Sequence, residues 1–541
     1  MNHYQSTLES AEKFLKTQLR CQIKDRKDPR HGGVLLPDVG IAHDKSGVIS
    51  EAFLLYCNPN SYFYHDEALF LAVMEMLDFT ERRLRPDHTM DLFTANPNSG
   101  PDTAFSLLVF CKAYFAIPRG GMNDKERLLA SRLYRLIDLC SHGVLVNGFH
   151  TPNHRWVICA ALAMSYRIIG DRALRSGIEP YLAEGIDCNA DGEFAERSSG
   201  IYNIVNDSCL IVMAEYLDMP ELLEHVRRNL NMIEAYFEPD MSVFTGNSTR
   251  QDNGTDVYAD IYFPLYLYMA QKDQNPCFLK TAAKIFDAMQ RSGRDMPLCL
   301  EYYMLNPQLR DIRLPESDKA PECRRFFRES GVVRVVKEGM TVTLLRDNPD
   351  FLHIHMQEIS MFLRVSVNFF NERHLIASEI EEAEDGYLLH YTGYGRYYLP
   401  FPEKPETSDW WEMDKSKRPT VQEMSLSIDV LVRPAEEGVR VRFSSAGCTN
   451  IPIKLDWSVK GCKAVYGDGF TLPWQEGLRM VVSKGSIRAD AGGEGLSISP
   501  CLSQHDYIGY LVGGLPPAKG YMHFYCNWLS PMEHEFEING N

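Results

Sequence analysis

Apolar residues recur at i, i+3, i+4 and i+7 through roughly the first 300 residues, the spacing of one face of an α-helix. The stretch "STLESAEKFLKTQL" opens on a Ser cap and lines up Leu8, Ala11, Phe14, Leu15 and Leu19. In "HDEALFLAVMEMLDFTERRL" the same face holds Ala68, Leu69, Leu71, Ala72 and Met76. Further segments follow, among them "GPDTAFSLLVFCKAYFAI", "TPNHRWVICAALAMSYRIIG" and "IYNIVNDSCLIVMAEYLDM", with Gly, Pro and Asn-Pro at the stops. Such a run predicts stacked helical hairpins. No strict sequence period repeats, which favours a closed (α/α) toroid over an open solenoid.

The texture changes near Pro321. Short alternating runs rich in β-branched residues take over, such as "GMTVTLL", "MFLRVSVNFF", "SLSIDVLVR" and "GVRVRFSS". Turns such as "DNPD", "EDG" and "EEG" separate them, and many short strands at this spacing predict an antiparallel β-sandwich. The expected fold is therefore α+β and multidomain. Residues 1–309 would form the toroid, 310–325 a linker and 326–541 the sandwich.

Composition narrows the function. The 541 residues are 45% hydrophobic and 24% charged, enough to bury large cores. A formal net charge of −17 argues against binding a phosphate backbone, which needs a basic surface. No basic-then-apolar leader and no long apolar run is visible, so a cytoplasmic protein with no membrane contact is expected. The 14 cysteines are scattered without a C-x-x-C pair and read as buried reduced thiols. Nucleotide-loop, dinucleotide, serine-hydrolase and zincin motifs are missing, and no cofactor or metal is expected.

Candidate chemistry gathers at helix entrances. In "NGFHTPNHRWV", Thr151 can cap a helix whose first position is Pro152. Asn153 and His154 then lie in the first turn, where free N–H groups and the helix dipole favour an anion. His150 and His154 can move protons; Arg155 and Trp156 complete a substrate-binding set. The bland alternative is a capped helix with polar surface residues. A second entrance, "NADGEFAERSSGIYNIVND", holds Glu193, Glu196, Arg197 and Tyr202. There Tyr202 can serve as base and then acid. A third, "GNSTRQDNGTDVY", offers Arg250 as a carboxylate clamp, with Asp252 and Asp256 as acid or base candidates. "LFTANPNSGPDTAF" is a fourth polar entrance. Trp156 and Tyr258 are candidates for stacking on sugar rings, although such residues are more often core. In the strand region, "FLHIHMQE" puts His353 and His355 on one face, a weak metal signal and a candidate substrate contact. "WW" at Trp410 and Trp411 is expected to pack a seam.

With "PNHRW" and "DGEFAERSSGIY", and helices followed by strands, the chain resembles the heparinase II/III and oligoalginate lyase superfamily. The resemblance implies that Asn153 neutralises a uronate carboxylate while Tyr202 and His154 shuttle the proton of a β-elimination. That family's sandwich opens with a His-Gly-His-x-Asp-like segment, whereas the equivalent here, "HIHMQE", lacks the glycine and the aspartate. The layout also resembles glucuronide hydrolases, for which Glu193, Glu196, Asp252 and Asp256 supply carboxylates. The sequence thus points to an enzyme degrading uronic-acid-containing oligosaccharides, by elimination or by hydrolysis. A non-catalytic glycan-binding protein is the third alternative. The expected partner is an acidic oligosaccharide; a second copy of the chain is left open.

Overall fold

The computed structural model describes residues 2–36, 40–43, 46–93, 95–118, 120–146, 151–316, 322–337, 339–435, 438–510 and 513–540. The chain divides into two compact units, residues 1–237 with 241–319 and residues 238–240 with 320–541. The first is helical and the second is built of strands, so the α+β class holds.

In the helical unit, alternate helices form an inner layer. Ser46–Cys57 packs on Gly100–Ala116, which packs on Pro152–Ile169, which packs on Tyr202–Tyr216. Leu300–Leu305 returns to touch both Ser46–Cys57 and Gly100–Ala116, closing the succession. The inner helices are apolar nearly all round, because neighbours cover them on several sides. Pro152–Ile169 buries Trp156, Val157, Cys159, Ala160, Ala161, Ala163 and Met164; its alanines let adjacent backbones come close. Thr151 is its extended N-cap, Pro152 sits in the first turn, and Gly170 ends it in the left-handed conformation at φ 84°. Outer helices such as Pro276–Ser292 keep a polar face. Two short hairpins, Val34–Leu36 with Ile41–His43 and Met90–Leu92 with Asn96–Ser99, interrupt the helices.

Among the described residues, the strand unit holds two nine-stranded sheets sharing one core. Leu363, Val365, Leu455 and Trp457 of one sheet pack with Val430, Val432, Val441 and Phe443 of the other. Alternation explains the packing: along Gly438–Gly447, Val439, Val441 and Phe443 point inward while Arg440 and Arg442 are exposed. The sandwich is not wholly antiparallel as expected, since Arg479–Val481 pairs parallel with Met522–Leu529. A three-residue edge strand needs no hairpin partner, so its direction is set by where the preceding turn delivers it. Trp410 and Trp411 are exposed rather than packed, Trp411 at 85%. Lys415 lies over both rings, which accounts for part of their contact. Among the described residues no helix is long and apolar enough to cross a membrane.

Candidate functional site

Three of the four polar helix entrances meet within the helical unit. Asn153 is fully buried in the first turn of Pro152–Ile169. Its amide nitrogen donates to both carboxylate oxygens of Glu196, at 2.9 Å each, and to the Thr151 hydroxyl at 3.0 Å. The Arg250 guanidinium approaches the same carboxylate, Nε to Oε1 at 3.5 Å. Arg250 also stacks over the Tyr202 ring at 5.0 Å. One carboxylate, one amide, one guanidinium and one phenol therefore form a single cluster, drawn from segments more than 40 residues apart. The Oδ1 oxygen of Asn153 is buried with no hydrogen-bond partner.

Burial raises the Glu196 pKa above its ordinary value; the Asn153 hydrogen bond and the Arg250 charge pull the other way without overcoming it. His154 follows Asn153, and its Nδ1 accepts from the Thr151 backbone N–H at 3.2 Å. In the neutral ring this places the proton on Nε2. His150 lies outside the described residues.

The loops are held by a second set of carboxylates. Asp252, 1% exposed, accepts from the Ser198 hydroxyl at 2.9 Å, the Ser248 hydroxyl at 2.6 Å and the Gly200 N–H at 2.8 Å. Ser198 also accepts from the Tyr202 N–H at 3.1 Å, so Asp252 fixes the start of the tyrosine's helix. Gly200 permits this approach: a Cβ there would lie 3.0 Å from the Asp252 carboxylate. Glu193 is buried, accepts from Asn247 at 2.7 Å and Tyr236 at 3.4 Å, and sits 3.6 Å from the Arg197 guanidinium. Arg197 itself adopts φ 50°, an uncommon left-handed conformation for a side-chain-bearing residue. Gly192 at φ 101° comes so near the Arg228 carbonyl that a Cβ would lie 2.3 Å away.

Several sequence expectations move. Trp156 is fully buried, and its indole N–H donates to Asp187 at 2.7 Å, so it is a core residue and presents no face for a sugar. Arg155 bridges Glu184 at 2.9 Å and Asp187 at 3.3 Å, and lies over the Trp156 ring. Its charge is held by these carboxylates instead of facing a ligand. Tyr258 is half-exposed beneath the Arg294 guanidinium, 4.1 Å from its ring centre. Asp256 is exposed. His353 and His355 share a face of the Asp350–Met356 strand in the other unit. His353 Nε2 meets the Asp350 carbonyl at 2.8 Å, and burial lowers its pKa. His355 pairs with Ser360 at 2.9 Å and lies 3.6 Å from Asp240; burial lowers its pKa, but Asp240 and Glu238 outweigh that and raise it. Sequence reasoning missed Asp187, Asn247, Tyr236 and Ser248. Only Asn247 and Ser248 sat in a quoted polar loop; Asp187 and Tyr236 carried no local signal.

No known family profile matches the chain, and no curated protein matches it. Solved structures do. The Paenibacillus xanthan lyase aligns with a TM-score of 0.56 at 10% identity, covering 99% of this chain and 57% of that one. This chain thus spans little more than half of that enzyme's length. The Streptomyces coelicolor A3 chondroitin AC lyase, in complex with chondroitin sulphate, aligns at TM-score 0.55 and 10% identity over 99% of this chain and 79% of that one. A chondroitinase AC lyase solved with oligosaccharides aligns at 0.52 and 8% identity, covering 99% and 82%. The chain therefore has a fold of the kind these polysaccharide lyases use. The likeness shown is to this fold and does not extend to the heparinase II/III family in particular.

Proposed function

We propose that the protein is a lyase acting on uronic-acid-containing glycans by β-elimination. One observation carries the reading: the Asn153 amide donates to the Glu196 carboxylate, and the Arg250 guanidinium stands 3.5 Å from that carboxylate and over the Tyr202 ring. A uronate that takes Glu196's place on those donors gains a neutral amide and a cation at its carboxylate. Both draw charge from the carboxylate and make the neighbouring C5 proton more acidic. Tyr202, acting as its phenolate, takes that proton; the C4–O bond breaks as the C4–C5 double bond forms. The phenol so produced protonates the departing oxygen, which returns Tyr202 to its starting form. His154 follows Asn153 in the same helical turn and is the second candidate for proton handling. The likeness to xanthan and chondroitin AC lyases supports a glycan lyase at the level of fold.

Glu196 must give way for the substrate. Burial raises its pKa, so its charge is held less firmly than that of an exposed carboxylate. The same buried acid favours the one alternative that retains an observation, glycoside hydrolysis with Glu196 as general acid. Hydrolysis needs a second carboxylate. Glu193 and Asp252 are held by their own hydrogen bonds, and Asp256 is exposed. The deciding experiment digests a panel of acidic oligosaccharides and follows the ultraviolet absorbance of the unsaturated uronate together with reducing ends. Reducing ends without the unsaturated product would sink the elimination reading.

A further inference from the structure

A cavity opens toward the opposite ends of the helices that carry Asn153 and Tyr202. Its volume is about 280 Å³, and Met164, Ile211, Val212 and Leu305 supply apolar lining. Tyr202 and Glu215 lie at the two ends of one helix, about 20 Å apart at ~1.5 Å per residue. Asn153 and Met164 are separated in the same sense along Pro152–Ile169, by about 16 Å. The Asn153–Glu196 cluster gathers the N-terminal ends of both helices, and the cavity gathers their later turns. The cavity is therefore not part of the site described above.

Its chemistry is specific. Tyr216, Tyr268 and Tyr302 bring three phenol rings to the lining. Lys112 lies 3.6 Å from Glu301, 3.2 Å from the Ser208 hydroxyl and 5.7 Å above the Tyr302 ring. Glu215 accepts from Tyr268 at 2.8 Å and from Lys272 at 2.6 Å. Each lining carboxylate thus has its own lysine, Glu301 the lining Lys112 and Glu215 the Lys272 that stands outside the lining. Behind them Glu51 is 4% exposed with an unpartnered oxygen; burial, with the Glu301 charge adding, pushes its pKa up to about 8. It therefore adds no net charge at neutral pH. A charged ligand would have to break one of these ion pairs and leave a partly buried charge alone, which is costly. A neutral ligand need not. It needs hydroxyls for the lysine, serine and carboxylates at the rim, and C–H faces for the aromatic rings and apolar floor. The volume lies just below the range of drug-sized ligand pockets, about 300–1,000 Å³, which suits a smaller ligand.

We propose that this cavity binds a neutral monosaccharide. The claim is independent of the elimination reading, because it uses none of that site's residues. The test is saturation-transfer NMR and calorimetry on the full chain with glucose, galactose and N-acetylglucosamine. At least one should bind saturably, with Tyr302→Ala weakening it by about tenfold or more and Arg250→Ala leaving it unchanged. Should Tyr302→Ala fail to fold, Ser208→Leu, which fills the cavity, serves the same purpose. Three results overturn the proposal: no saturable binding of any of the sugars at tens of millimolar, binding lost in Arg250→Ala but kept in the cavity variants, or tighter binding of glucuronate or choline than of the neutral sugars.

Discussion

Glu196 and Asp252 are both buried carboxylates, on neighbouring loops of one site, yet they are built for opposite tasks. Asp252 receives short hydrogen bonds from two hydroxyls and a backbone N–H, all belonging to the loops it joins. Glu196 receives a shared amide and a guanidinium at 3.5 Å, from side chains that another carboxylate can equally engage. Glu51 extends the series, with one oxygen that has no partner. The comparison teaches that burial alone says little about a carboxylate's role. Donors on the loops that the carboxylate itself joins make it an anchor, whereas donors that another carboxylate could engage would make it a placeholder.

The largest test of the placeholder side is Tyr202→Phe. Removing the proton carrier should lower kcat on an accepted uronate substrate by about 10²–10⁴-fold, with the melting curve unchanged. Wild-type turnover in that variant would remove Tyr202 from the chemistry. Next comes Asn153→Ala, which deletes the neutral donor. A loss of about 10²–10³-fold in kcat is expected, and a change confined to stability would make Asn153 a cap only. The anchor side predicts a folding effect instead. Asp252→Ala leaves Ser198, Ser248 and the Gly200 N–H without their acceptor and should cost about 3 kcal/mol, read by urea denaturation; a wild-type midpoint would break the comparison.

Smaller effects sharpen it. Glu196→Gln keeps the shape and removes the charge, so at neutral pH the KM for a uronate substrate should fall by roughly tenfold, about 1.4 kcal/mol. An unchanged or higher KM would show that Glu196 does not compete for the seat. For Glu51 the sign follows from its pKa, raised from 4.5 to about 8 on folding. The folded state binds the proton more tightly, so stability is full below pH 4.5 and falls as pH rises toward 8. Glu51→Gln should therefore raise the melting temperature above pH 8 and leave it near wild type below pH 4.5. Equal shifts at both pH values would mean that the carboxyl is not desolvated.

Much of the fold was legible because its signals are local. Helical spacing marked Pro152–Ile169 and Tyr202–Tyr216, and alternation marked strands such as Gly438–Gly447. Trp156 shows where this ends: its place in an apolar run was visible, but not the Asp187 carboxylate, 31 residues away, that accepts a hydrogen bond from its indole N–H. The parallel Arg479–Val481 edge strand was equally hidden, because three residues carry no pattern that distinguishes direction.

By itself, the sequence determined the helix entrance at Thr151, Pro152 and Asn153, because capping acts within three or four residues. It also determined that carboxylates, an arginine and a tyrosine would crowd the loops before neighbouring helices. Only the tertiary structure decided their partners. Glu193 and Glu196 are three residues apart on one loop, yet Glu193 turns to Asn247 and Glu196 to Asn153. The left-handed turn at Arg197 and the close passage at Gly192 aim that loop, and contacts across 43 and 54 residues complete it. Chain closure over such separations depends on how whole helices pack, which no local pattern of side chains encodes.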